Sequence, residues 1–93
     1  MAHLTDTELQ DALGGLPGWV VHGGALERAF SGADFAWSID MVNRIAAIAE
    51  EAGHHPDLDI RWDTVTVRLV THSEGGITAA DADMAPRVQS LAG

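Results

Sequence analysis

Cysteine is absent from the 93 residues. Disulfides, thiolate nucleophiles and thiolate zinc sites are therefore excluded. A chain without cysteine suits a reducing compartment, and a cytoplasmic location is expected. Positive charge is scarce: five Lys and Arg stand against 14 Asp and Glu, for a formal net charge of −9. Phosphate binding needs a positive face, so nucleic acid is not an expected partner, and neither is an anionic lipid surface. No apolar run approaches the roughly 20 residues that a membrane helix needs. The N-terminal MAHLTDTELQ has no basic region leading into an apolar core, so no signal peptide is expected. Internal repeats and low-complexity linkers are missing as well. What is present is 46% hydrophobic residues, an ordinary globular fraction. A single domain over residues 1–93 is expected, of a size that buries about two thirds of its unfolded surface.

The first helix signal is TDTEL: Thr5 can cap, and Glu8, three residues on, can reach back to the cap. Leu9, Ala12 and Leu13 share a face, and Gly14-Gly15 supplies a stop. PGWVVHGGALERAF reads as a hairpin turning at Gly23-Gly24. The longest helix spans about residues 33–53 and carries two apolar stripes. One runs through Phe35, Ile39, Val42, Ala46 and Ala49, the other through Trp37, Met41, Arg44 or Ile45, and Ile48. A sheet face needs only one stripe, so the second suggests another surface, such as a second subunit. DLDIRW and TVTVRLVTH alternate as two strands around a tight turn at Asp63-Thr64. ITAAD opens the last helix with Thr78 as cap and Asp81 three residues later. Pro86 falls inside that helix, so a kink is expected near residues 82–86. The order is α-β-β-α-β-β-α. Hairpin strands pair antiparallel, so the expected fold is α+β: a four-stranded antiparallel sheet with three helices packed on one face.

Chemistry concentrates in histidine. His54 and His55 precede Pro56, which disfavours helix at His55 and leaves the pair on extended or turning chain. A turn at Asp63-Thr64 sets His55 opposite His72 at the open end of the hairpin. Imidazole titrates near neutrality and can both give and take a proton. Three readings fit the cluster from spacing alone: a polar rim at the sheet end, a three-histidine zinc site, and metal-free acid–base catalysis. Asp81 has two readings as well, a capping-box acid or a carboxylate that recognises the amidine-like edge of a heterocycle. Glu50 lies four residues before His54, where it can orient an imidazole or simply be solvated. Trp19 suits the core, or a stack on a planar ligand. His3 and His22 read as surface.

These residues closely resemble the pterin-4a-carbinolamine dehydratase family. The family pattern is Glu, three residues, His-His-Pro, a spacer, Thr-His, then Gly-x-Ser/Thr-x-x-Asp. Here it reads EEAGHHP, TH and GITAAD, with GW in the first strand and an Arg, Arg44, in a long helix that opens with DF. The resemblance spans nearly the whole chain. It implies dehydration of a 4a-hydroxytetrahydropterin, such as the tetrahydrobiopterin carbinolamine, to the quinonoid dihydropterin. That is hydro-lyase chemistry in pterin recycling, with no metal and no organic cofactor. It also implies His54 and His72 as acid–base groups, His55 as a pterin-positioning histidine, and Glu50, Trp19 and Asp81 as supporting or pocket residues. Family members are usually dimers, or dimers of dimers that use the long helix, so a homodimer or homotetramer is expected. Two function classes compete with the enzyme: a non-catalytic pterin-fold module that binds or regulates another protein, and a metal-dependent hydrolase.

Overall fold

The computed structural model describes residues 2–92. Its first helix, α1, covers Asp6–Gly14. The Thr5 hydroxyl accepts from the Glu8 N–H at 3.1 Å, and the Glu8 carboxylate accepts from the Thr5 N–H at 2.9 Å. This reciprocal pair satisfies two orphan donors of the first turn. The same bonds, first that from the Thr5 backbone, hold the Glu8 carboxyl below the ordinary glutamate value. Leu9 and Leu13 pack against the core.

Two strands follow, β1 (Val20–His22) and β2 (Ala25–Ser31). Gly23 and Gly24 make the turn between them at φ +58° and +77°. Two consecutive left-handed residues are what a tight hairpin requires, and glycine adopts them without a Cβ clash. Next come α2 (Phe35–Ala52), β3 (Asp57–Arg61) and β4 (Thr64–Leu69). A short 3₁₀ turn at His72–Glu74 leads to α3 (Ala79–Leu91). The strands form one antiparallel sheet in the order β1-β2-β4-β3. The α+β architecture is therefore the one expected.

The core lies between sheet and helices. Val65, Val67 and Leu69 of β4 and Leu26 and Phe30 of β2 face Met41 and Ile45 of α2 and Met84, Ala85 and Val88 of α3. Each fully buried aliphatic side chain contributes about 1.5–3 kcal/mol. Pro86 sits inside α3, which continues past it to Leu91. No helix among the described residues is long and apolar enough to cross a membrane.

Two expectations need correction. The β3–β4 turn is centred on Trp62-Asp63, and Arg61 pairs with Thr64. Trp62 takes the left-handed conformation at φ 51°, while Thr64, β-branched, belongs to the strand. This register retains Val65, Val67 and Leu69 on the core side but removes His55 from the position opposite His72. The two stripes of α2 also divide differently. Ser38, Met41, Ile45 and Ala49 are buried, with Trp37, Val42 and Ile48 packed beside them. Phe35 and Ile39 remain 53% and 37% exposed. The stripe through Met41 and Ile45 thus covers the sheet together with Val42 and Ala49 of the other stripe, and Phe35 and Ile39 are left over.

Candidate active site

Local sequence sets the three histidines on short segments between the α-helices and strands, His72 at the start of the 3₁₀ turn. Gly53 ends α2 in the left-handed conformation, and its N–H returns to the Ala49 carbonyl. This C-terminal cap releases His54 and His55 onto the lead into β3. Beyond β4, Thr71 exchanges two backbone hydrogen bonds with Gly76, closing a loop that presents His72.

Each histidine meets its own carboxylate. His54 Nε2 lies 2.6 Å from Asp81 Oδ1. His55 Nε2 bonds to Glu50 Oε2. His72 Nε2 lies 3.3 Å from Oδ1 and 3.2 Å from Oδ2 of Asp57. A carboxylate accepts, so the nitrogen facing it is the N–H, and in the neutral ring the other nitrogen carries the lone pair. In all three rings Nε2 is the atom on the carboxylate.

The environments differ. Asp81 is fully buried, and the His54 side chain is 17% exposed. Asp81 Oδ2 accepts from the Thr78 N–H and from the Thr71 hydroxyl, both at 2.9 Å. The Thr78 and Thr71 hydroxyls are 2.7 Å apart. With the Thr71 proton on Asp81, Thr78 donates to Thr71. Asp81 therefore closes the capping box of α3 and holds His54 at the same time. Two such charge-assisted bonds in a buried network are shorter and stronger than neutral ones. The His55–Glu50 and His72–Asp57 pairs are open to solvent.

A pocket of about 240 Å³ opens beside His54, between the end of α2 at Ala52 and the face of α3 that carries Ala80, Asp83, Met84 and Arg87. Trp19 lies elsewhere. It is buried, edge-on to Phe30 at 6.0 Å, and its indole N–H donates to Gln89 at 2.9 Å. Gln89 is eight residues beyond Asp81 on α3, about 12 Å at the helical rise. The structure thus brings together His54 with Asp81, His55 with Glu50, and leaves Trp19 in the core. Asp57, Thr71, Asp83 and Arg87 were not singled out by sequence. Asp57 reads as one more solvent-side residue of an alternating strand; in the sheet it lies opposite Arg68, and His72 reaches it from the 3₁₀ turn beyond β4. Among the described residues, no group of three or more His, Asp and Glu is arranged to hold a metal ion.

Comparison with known proteins identifies the family. A relative from Mycobacterium avium (strain 104), named after pterin-4-alpha-carbinolamine dehydratase, is 52% identical over 93 residues, covering 100% of this chain and 99% of its own. A relative of the same name from Mycobacteroides abscessus is also 52% identical, with the same coverage. A crystal structure from Brucella melitensis, described as a transcriptional coactivator/pterin dehydratase, superposes with a TM-score of 0.92 at 38% identity. It covers 98% of this chain and 99% of the other. A pterin dehydratase-like protein identified as a RuBisCO assembly factor in the alpha-carboxysome matches at 25% identity and a TM-score of 0.66, over 81% of this chain and 87% of its own. The family model described as pterin 4 alpha carbinolamine dehydratase matches residues 2–91, and the chain belongs to that family.

Proposed function

We propose that this protein dehydrates a 4a-hydroxytetrahydropterin, such as the tetrahydrobiopterin carbinolamine, to the quinonoid dihydropterin. The observation that carries the reading is the uniform pairing of His54, His55 and His72, each with Nε2 on a carboxylate. Hydroxide is a poor leaving group. A proton delivered to the 4a-oxygen lets the C–O bond break with release of water. The electron pair of the adjacent ring N–H then becomes the new C=N bond, and its proton passes to a base. One imidazolium and one imidazole suffice, and the proton count balances.

His54 and His72 serve as this acid–base pair, acting through Nδ1. His55, oriented by Glu50, positions the pterin. Asp81 has both oxygens engaged and no exposed surface, so its part in substrate binding is exerted through His54. Trp19 contributes by shaping the core under β1. General acid–base assistance of this type is worth about 10²–10⁴-fold. The protein acts in the cytoplasm as a homodimer or homotetramer, an arrangement supported by the exposed Phe35 and Ile39 on α2.

A dehydration assay followed by absorbance tests the reading. The wild type is expected to accelerate loss of water, and His54→Ala and His72→Ala to lose at least about tenfold in rate. Equal rates with and without the wild-type protein would reject catalysis. They would favour a second reading, a pterin-fold module serving another protein, which the likeness to the RuBisCO assembly factor supports.

A further inference from the structure

β2 carries a charge on the face it turns to the helices. Arg28 stands two residues from Leu26 and two from Phe30, so the two-residue period puts it on their side of the sheet. It pairs across the sheet with Val67 of β4, which is fully buried. Its guanidinium carbon lies 4.7 Å from the centre of the Phe30 ring. A Cβ on Gly18, whose φ is +86°, would come within 2.9 Å of that carbon and of Nε, so bare backbone covers the group there. Nη1 donates to the Pro17 carbonyl at 2.8 Å and to Gln89 Oε1. The other four arginines each pair with a carboxylate. Among the described residues Arg28 has no such partner, on a chain with 14 Asp and Glu.

A pocket of about 250 Å³ is lined by Arg28, Phe30, Gln89 and Ala92. No carboxylate among the described residues lines it. Gln89 Oε1 accepts from Arg28 and, at 2.9 Å, from the Trp19 indole N–H. These two donors fix the amide, because turned over it would set its own NH₂ against both. The Gln89 NH₂ is therefore left for a ligand, and so are the Nη2 hydrogens of Arg28. The polar groups offered are all donors, and one is fully charged. Such a set suits an anion better than a neutral molecule. The volume equals that of roughly eight liquid waters at about 30 Å³ each, which is room for a small acid. α3 ends at Leu91 with no basic residue in its last turn, and a helix carries roughly half a negative charge at that end. It offsets part of the guanidinium charge, so one negative charge is matched and the two of a phosphate dianion are not. A planar carboxylate also fits the guanidinium fork.

We infer that this pocket binds a small monocarboxylate, with Arg28 Nη2 and the Gln89 amide on its oxygens and its short carbon chain against Phe30 and Ala92. Gln89 stands eight residues beyond Asp81 on α3, and the inference does not depend on the dehydratase reading. Trp19 registers occupancy, because a ligand bonded to Gln89 acts on the amide that receives the indole N–H.

The test is a titration of the ¹⁵N-labelled protein at low salt and above neutral pH, followed by the indole N–H signal of Trp19, which Trp19→Phe assigns. The probes are propionate, its neutral isostere propionamide, and inorganic phosphate. In the wild type propionate is expected to shift the signal saturably, with a Kd at least about tenfold below that of propionamide and below that of phosphate. Arg28→Gln removes the charge and is expected to raise the propionate Kd by about tenfold or more. Ala92→Glu sets a carboxylate at the exposed rim, away from the core, and is expected to weaken propionate and leave propionamide unchanged. It carries the test if Arg28→Gln does not fold. Equal affinities for propionate and propionamide overturn the inference. So does a Trp19 signal that propionate leaves in place, a wild type that prefers phosphate, or a propionate Kd that Ala92→Glu does not change.

Discussion

At the scale of single residues, Asp81 is the best-determined group in the site. It accepts from two Thr71 and Thr78 donors on one oxygen and meets His54 on the other, with no solvent contact. Asp81→Asn preserves shape but replaces one acceptor oxygen by an NH₂ donor. The α3 cap and the His54 bond cannot then both persist with the wild-type tautomer. An unsatisfied buried donor costs about 1–3 kcal/mol, so the melting temperature should drop. If the cap is retained, the amide NH₂ faces His54 and the ring must turn its lone pair towards it. His54 then carries its proton on Nδ1. Ring ¹⁵N shifts should show Nε2–H in the wild type and Nδ1–H in the variant, with kcat lower by about tenfold or more. A lower melting temperature with unchanged ring shifts and kcat would confine Asp81 to capping. From the sequence, the cap was legible because Thr78 and Asp81 stand three apart before an apolar run. The bond to His54 was not, since it joins residues 27 positions apart through the packing of α3 on the end of α2. Asp57 was hidden for a related reason: its alternation identifies a face, while its partner His72 arrives from the 3₁₀ turn beyond β4.

At the scale of elements, the junction of β2 and α2 is the tightest point. Gly32 follows β2, and its N–H donates to the Asp63 carbonyl at 2.9 Å. A Cβ built on Gly32 would lie 1.9 Å from Cδ2 of Trp37, inside the indole ring. A ring cannot bend away as a flexible chain end can, so Gly32→Ala must displace Trp37 or part the junction. Overpacking of this kind costs about 1–3 kcal/mol, enough on this domain size to lower the melting temperature by at least about 4 °C. A substituted protein melting with the wild type would show that the junction yields freely. The register of β3 on β4 depends on a comparable local choice. Read as sequence, Asp63-Thr64 is the more turn-like pair, since Asp and Thr both bond readily to nearby backbone. The folded chain instead turns at Trp62-Asp63, with the Ser38 hydroxyl of α2 bonded to the Trp62 carbonyl. A contact from an element 24 residues earlier lies outside any short-range signal. The period-two strands, both capping boxes and the glycine stops needed no such contact, and all were visible in the sequence.

At the scale of the molecule, charge and apolar surface oppose each other. Five Arg residues are all engaged: Arg44, Arg61, Arg68 and Arg87 with carboxylates, and Arg28 with the Pro17 carbonyl and Gln89. The excess of acids is therefore uncompensated, and two copies approaching each other repel. The proposed self-association must come from apolar contact, for which Phe35 and Ile39 on α2 are available. Salt discriminates between the forces. The screening length falls from about 30 Å at 0.01 M to about 8 Å at 0.15 M, from comparable with the 38 Å length of the molecule to well below it. Raising salt across this range relieves long-range repulsion and leaves apolar burial intact. Light scattering should thus show the mass rising with salt at fixed protein concentration, and Phe35→Glu together with Ile39→Glu should hold the protein at the monomer mass throughout. An interface built on ion pairs would respond in the opposite sense, because screening weakens each pair. A mass falling with salt would therefore move the contact away from α2 to the charged open face of the sheet, and a monomer at every salt concentration would remove the oligomer altogether.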